Sequence, residues 1–331
     1  MNKGRILYID YVKAFAIILV IMGHVNFAND SVKAWIFSFI MPLFFFCTGL
    51  VLNVREDFSL KEILKNKIHR LILPYFIWAL LYTKLSVLNI LMIIYGSYWT
   101  TARSGTLTSL WFLPVMFLSL MLFYLFVKTG MSKRFVYKLL LMVMAFAIGC
   151  SLPHLKIGYP WGIDVAFVSF SFLMLGNILR KYIKGLYLYF QSHTPIGLIT
   201  SFLLFLLFFL SVQTYHLNNP LGGYIMMKSA QYGNPLLFAL TAVCGTMMLL
   251  FFSIFIELLN RRGYKWLSFV GQNTLVVFVV HKPIIVCFKV FFRYIQTPEV
   301  VMLTITTIGT LLLSSLLCIL INKYAPILAG K

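Results

Sequence analysis

Ten long apolar runs separated by short polar clusters dominate the chain, at roughly 9–28, 33–54, 71–95, 107–128, 136–151, 162–180, 196–213, 234–259, 266–290 and 300–322. A helix needs about 20 apolar residues to cross a bilayer, with a range near 17–25. The pattern predicts an all-α fold: a polytopic transmembrane helix bundle with about ten spans, residues 1–331 forming a single integral membrane domain. The first run carries Lys13 and His24, lacks a small-residue cleavage site and is followed closely by another run, so it reads as a retained helix. Pro283 interrupts the ninth run and predicts a kink near its outer end. Between the second and third runs, Leu60, Ile63, Leu64 and Ile68 recur at helical spacing, predicting a short amphipathic helix along the membrane surface. The connection at 213–233 is rich in Tyr, Asn and Gly and reads either as a cover over an outward opening or as a plain surface loop.

Composition excludes a water-soluble domain. Of 331 residues, 61% are hydrophobic and 11% charged, whereas soluble domains carry about a quarter charged residues. A net charge of +20 would suggest nucleic acid in a soluble protein. Here the basic residues sit in clusters between apolar runs, so no nucleic-acid partner is expected and membrane lipids are. Numbering the connections alternately sends 20 of the 28 Lys and Arg to one side, including Arg55, Lys61, Lys65, Lys67, Arg70, Arg261 and Arg262. The positive-inside rule then places both termini in the cytoplasm and requires an even number of spans. The five Cys are scattered without metal-ligand spacing and read as small apolar fillers.

Polar residues inside apolar runs mark function, because lipid does not solvate them. Asp10 and Lys13, three apart, share a face of the first helix and are placed to pair. His24 follows Lys13 by 11 residues, about three turns, which puts both side chains on one face about 16 Å apart along the axis. Catalysis, structural packing and proton or ion transport all remain open for that histidine. His281 lies about 15 residues into the ninth span, counted from the same side, so its depth should match that of His24. A metal site would need a third ligand, for which Asp164 is the nearest candidate, and no metal is expected. Lys84 lies 14 residues past Arg70 and reads as a snorkelling charge, a partner for Asp164 or a group on a substrate path. Lys67 and Arg70 form a basic pair at the inner surface, suited to orienting charge, anionic headgroups or cofactor phosphates. Asn273 lies low in the ninth span and reads as a cap or a hydrogen bond across helices. Trp99, Trp161, Tyr215 and Tyr224 near the outer ends read either as ring-stacking groups for a ligand or as an interfacial aromatic belt.

Several stretches together resemble the acyltransferase family 3 membrane O-acyltransferases, most closely their fucose 4-O-acetylase-like branch. They are YIDYVKAFAIILVIMGHVN at 8–26, MPLFFFCTG at 41–49, KIHRLILPY at 67–75, SLWFLP at 109–114 and VGQNTLVVFVVHKP at 270–283. Lys13 stands where Arg is commoner in the family, which keeps the charge and loses the planar fork. The resemblance implies transfer of an acetyl group from acetyl-CoA to a hydroxyl of a cell-envelope or exported sugar, free or lipid-linked, in a bacterial plasma membrane. It implies His24 as catalytic base, supported by Asp10 and His281, with Lys13, Lys67 and Arg70 binding the donor. Lys84, Trp111, Asp164 and Asn273 then become candidates for binding the acceptor. A transporter or flippase for a glycan or lipid-linked substrate is the competing reading, and acetyl-CoA consumption discriminates the two.

Overall fold

The structure, a computed structural model, describes every residue except 1–5, 26–29, 53–56, 85, 103–106, 220–224, 261–263 and 294–297. Tyr224 and several of the orienting cations, Arg55, Arg261 and Arg262 among them, lie outside the described residues.

The chain is an all-α, polytopic membrane helix bundle. In order, its helices are α1 (Leu7–His24), α2 (Asp30–Val51), α3 (Leu60–Lys67), α4 (Leu73–Tyr82), α5 (Val87–Tyr95), α6 (Tyr98–Ala102), α7 (Phe112–Lys128), α8 (Phe135–Ser151), α9 (Ile163–Ser192), α10 (Thr194–Leu204), α11 (Leu207–Asn218), α12 (Pro235–Leu259), α13 (Lys265–Gln272), α14 (Thr274–Phe292) and α15 (Glu299–Tyr324). Among the described residues, eight helical stretches are long and apolar enough to cross a membrane.

The two runs that do not qualify differ for local reasons. The third, expected at 71–95, is broken between α4 and α5, where the Ser86 hydroxyl caps α5 by accepting the Asn89 N–H (3.2 Å) and the Asn89 amide donates to the Lys84 carbonyl (2.8 Å). With 10 and 9 residues, each piece reaches only about half the hydrocarbon thickness at 1.5 Å per residue. The fifth run is α8, an apolar helix of 17 residues. The expected amphipathic helix is α3, whose N-terminus is capped by Ser59 accepting from the Glu62 N–H (3.4 Å).

A π-helical turn at Ile68–Ile72 joins α3 to α4. Pro74 follows at once and has no N–H for the carbonyl of Arg70, four residues back, where its ring would also clash. Widening the turn before it relieves both problems. The ninth run breaks at Asn273 (φ −110°, ψ 22°), and Pro283 stays inside α14. Two local hydrogen bonds compensate the break: Asn273 N–H to the Val270 carbonyl (3.1 Å) and the Asn273 side-chain amide to the Phe269 carbonyl (2.8 Å).

The helices gather into two compact units. One comprises 1–47, 179–225 and 232–316, the other 48–178, 226–231 and 317–331. In the first, α1 packs against α12, α13 and α14, and α10 and α11 pack on α12. In the second, α7 packs against α3 and the π turn, and the Trp78 indole donates to the Leu328 carbonyl (3.0 Å), holding the C-terminal segment on α4.

Candidate functional site

In the first unit, α1 ends at His24 and α14 presents His281 to it. The two imidazoles stack with centroids 5.1 Å apart and planes inclined at 26°. Phe37 of α2 covers His24 from another direction, at 5.1 Å. His281 is fully buried, and its Nδ1 lies 3.2 Å from the Val277 carbonyl. A carbonyl only accepts, so Nδ1 carries the proton and Nε2 holds a lone pair. That Nε2 is buried and has no hydrogen-bond partner among the described residues. An unpartnered buried acceptor is costly, and here it sits beside a half-buried second imidazole. Two histidines 257 residues apart in sequence therefore meet, as their matched depth predicts.

At the other end of α1 the expected Asp10–Lys13 pair is absent. Asp10 Oδ2 accepts instead from the Ser268 hydroxyl of α13 (3.0 Å), which in turn accepts from the Gln272 amide (3.0 Å). Burial explains the exchange: Asp10 is only 7% exposed and faces α13, whereas Lys13 is half-buried and makes no ion pair among the described residues. The approach of the two helices depends on Gly271, where any Cβ would overlap the Asp10 carbonyl oxygen. The Tyr11 hydroxyl accepts from the Tyr264 N–H (2.6 Å), fixing the start of α13 to α1.

The second unit holds Lys67, Arg70, Lys84, Trp99, Trp111, Trp161 and Asp164, while Tyr215 and Asn273 belong to the first. Lys67 is half-buried with its ammonium 5.8 Å from the Tyr124 ring centroid. Arg70 lies in the π turn and is exposed. Burial, and then the charge of Arg70, hold the Lys67 pKa below the ordinary lysine value. Lys84 is exposed in the α4–α5 break and makes no ion pair with Asp164, which leaves the snorkelling and substrate-path readings for it. Asp164 is buried at the start of α9, where the Val165 N–H and its own N–H face its carboxylate, as a first-turn acid should. Trp111 is buried where a 3₁₀ turn leads into α7. Tyr215 is buried too and accepts from the Asn219 amide (3.0 Å), which removes it from an exposed aromatic belt. The Trp161 N–H is taken by the Ile94 carbonyl (2.8 Å), and Trp99 stays 40% exposed. Asn273 spends one amide hydrogen on the helix break. Among the described residues, no three His, Cys, Asp or Glu gather at metal-binding distance.

The model of the acyltransferase domain matches residues 6–319, nearly the whole chain. The chain belongs to the acyltransferase-3 family. No curated protein sequence matches it significantly. As an acyltransferase-3 member it carries acyl-transfer activity in general and requires a donor of the acyl-coenzyme A kind.

In this acyltransferase the last turns of α12 contribute a residue that charge within an apolar run should also single out. Glu257, inside the run at 234–259, is 8% exposed and accepts from the Tyr187 hydroxyl of α9 (2.7 Å). The Tyr8 N–H in the first turn of α1 faces the same carboxylate, and the Tyr8 and Tyr187 rings lie 4.8 Å apart. An acid beneath a helix N-terminus complements its dipole. Glu257→Ala should cost about 1–3 kcal/mol of stability and Glu257→Gln, which still accepts from Tyr187, clearly less. Thermal unfolding in detergent measures both, and an Ala variant as stable as wild type removes this anchoring role.

Proposed function

We propose that this acyltransferase is a membrane O-acetyltransferase of the fucose 4-O-acetylase-like branch. It moves an acetyl group from acetyl-CoA to a hydroxyl of a cell-envelope or exported sugar, in a bacterial plasma membrane with both termini cytoplasmic. The observation that carries the proposal is the His24–His281 stack with its buried, unpartnered Nε2. In the proposed reaction, His24 takes the proton of the acceptor hydroxyl while that oxygen attacks the thioester carbonyl carbon. The C–S bond breaks, and the departing thiolate takes the proton back from the imidazolium. The position of His24 at the C-terminus of α1 favours the transient positive charge. His281 Nε2 accepts a hydrogen bond from the acceptor or from its neighbour and so orients the pair.

Lys13, Lys67 and Arg70 are each candidates to meet a phosphate of the donor, and Lys13, which makes no ion pair among the described residues, has its charge to spare for that use. Trp111, Asp164, Lys84 and Asn273 stay candidates for the acceptor, with Lys84 the most exposed of them. Purified protein that releases coenzyme A from acetyl-CoA only when a sugar acceptor is present supports the proposal. Envelope glycans that gain no acetyl mass when the protein is expressed reject it.

Donor binding has its own signature. Replacing both Lys67 and Arg70 by Ala should weaken a non-reactive coenzyme A analogue by about tenfold, or 1.4 kcal/mol, and leave acceptor affinity unchanged. Because the Lys67 pKa is lowered, its charge is lost as pH rises through a value below the usual ~10.4. Affinity for the analogue should therefore fall on the acid side of the ordinary lysine range, and bound phosphate should draw a proton back onto Lys67. Titration calorimetry across alkaline pH reads both effects, and an affinity flat up to the ordinary lysine range excludes Lys67.

A further inference from the structure

A groove of about 510 Å³ opens on the first unit between α1, the end of α12 and the start of α13, lined by Phe15, Ile256, Tyr264, Lys265, Trp266 and Leu267. One part of it is apolar, with walls from Phe15, Ile256 and Leu267. From Phe15 an aromatic cluster continues through Phe252 (5.1 Å) to Phe205 (5.7 Å), and Phe255 of α12 meets Phe202 (6.3 Å). Phe202 is 59% exposed, so this apolar surface reaches the outside of the bundle. The other part is cationic and aromatic. Lys265 is exposed and makes no ion pair among the described residues, and Tyr264 and Trp266 flank it with about half of each side chain open.

We propose that this groove binds one anionic phospholipid. Its phosphate meets the Lys265 ammonium, its glycerol region lies between Tyr264 and Trp266, and an acyl chain runs over Phe15 toward Phe202. The charge complementarity fixes the sign of the headgroup, and Tyr and Trp are the side chains that favour the headgroup level. The apolar wall of Phe15, Ile256 and Leu267, with the exposed Phe202 ring beyond it, sets the lipid apart from a soluble polyanion such as coenzyme A, which has no use for it. Occupancy bears on α1 directly, because the groove takes Phe15 from that helix and Tyr264 is held to it through Tyr11. The inference rests on the membrane-embedded fold and not on the proposed acetyl transfer.

Native mass spectrometry of the detergent-purified chain, titrated with phosphatidylglycerol and with phosphatidylcholine of identical acyl chains, tests it without any turnover. The expected result is one tightly held phosphatidylglycerol, bound at least tenfold better than phosphatidylcholine. Lys265→Glu should abolish that preference, and Trp266→Ala should weaken both lipids. Lys181→Glu, which reverses an exposed charge elsewhere in the same unit, should change neither. Equal retention of the two lipids, an equal effect of Lys181→Glu, or displacement of the bound lipid by coenzyme A would each overturn the proposal. Lys265 is exposed, so its variant should fold, and an unchanged melting temperature without lipid checks that in the same samples.

Discussion

Replacing His24 by Ala is expected to leave a folded, membrane-inserted protein and, if the proposed role holds, to lower acyl transfer by about 10²–10⁴-fold, the usual contribution of a positioned general base. The variant loses the ring contacts with His281 and Phe37, worth about 0.5–1.5 kcal/mol each, so stability falls modestly while chemistry collapses. Binding of a non-reactive donor analogue should persist, because the basic residues on α1 and in the π turn are untouched. Added imidazole should restore part of the rate, since the truncated side chain leaves room for one beside His281. Equal transfer rates for wild type and variant at matched protein levels would remove His24 from the mechanism. A variant that binds no analogue would instead assign His24 to donor binding. The measurement also separates catalysis from the packing and transport roles left open by a lone intramembrane histidine, neither of which predicts rescue by imidazole.

The meeting of His24 and His281 is legible in the sequence because depth in a bilayer can be counted. Each residue adds a fixed rise, and two helices entering from one side reach the same level after similar numbers of residues. What lies on the same level from distant segments cannot be counted that way. Asp10 looks paired with Lys13 because only their helical spacing is visible, and the winner, Ser268, comes from a helix 258 residues away. The π turn follows from Pro74, but the i→i+5 register is one of several ways a helix can accommodate a proline. Pro283 shows another, remaining inside α14 while the break falls at Asn273, whose short amide side chain competes for backbone carbonyls. Apolar length hides helix breaks for a related reason. The run at 71–95 is hydrophobic throughout, yet Ser86 starts a new helix within it, and hydroxyl capping leaves little trace in a hydropathy pattern. Glu257 was in plain view as an acid within an apolar run, and only its partner Tyr187 was hidden, on a stretch of α9 past the expected end of that span.

Gly271→Ala is expected to be the most damaging single-methyl change in the first unit. A Cβ there would overlap the Asp10 carbonyl oxygen and lie 2.9 Å from the Asp10 Cα. Both are backbone atoms in the middle of a helical turn, so no side chain can swing away and the helices themselves must separate. Overpacking of this kind costs about 1–3 kcal/mol, and the separation also stretches the Asp10–Ser268 hydrogen bond of 3.0 Å. Since α1 is continuous from Leu7 to His24, tilting its lower half moves the histidine at its tip. Transfer should therefore fall by more than the loss of folded protein explains, through a lower kcat. Gly185 in α9 provides the control, because a Cβ at that position meets nothing within 4 Å, and Ala there should gain about 0.5–1 kcal/mol from helix propensity. Thermal unfolding and single-turnover kinetics on the two variants side by side read the outcome. If Gly271→Ala melts with wild type and turns over normally, the close contact of α1 with α13 is not what holds the site in register.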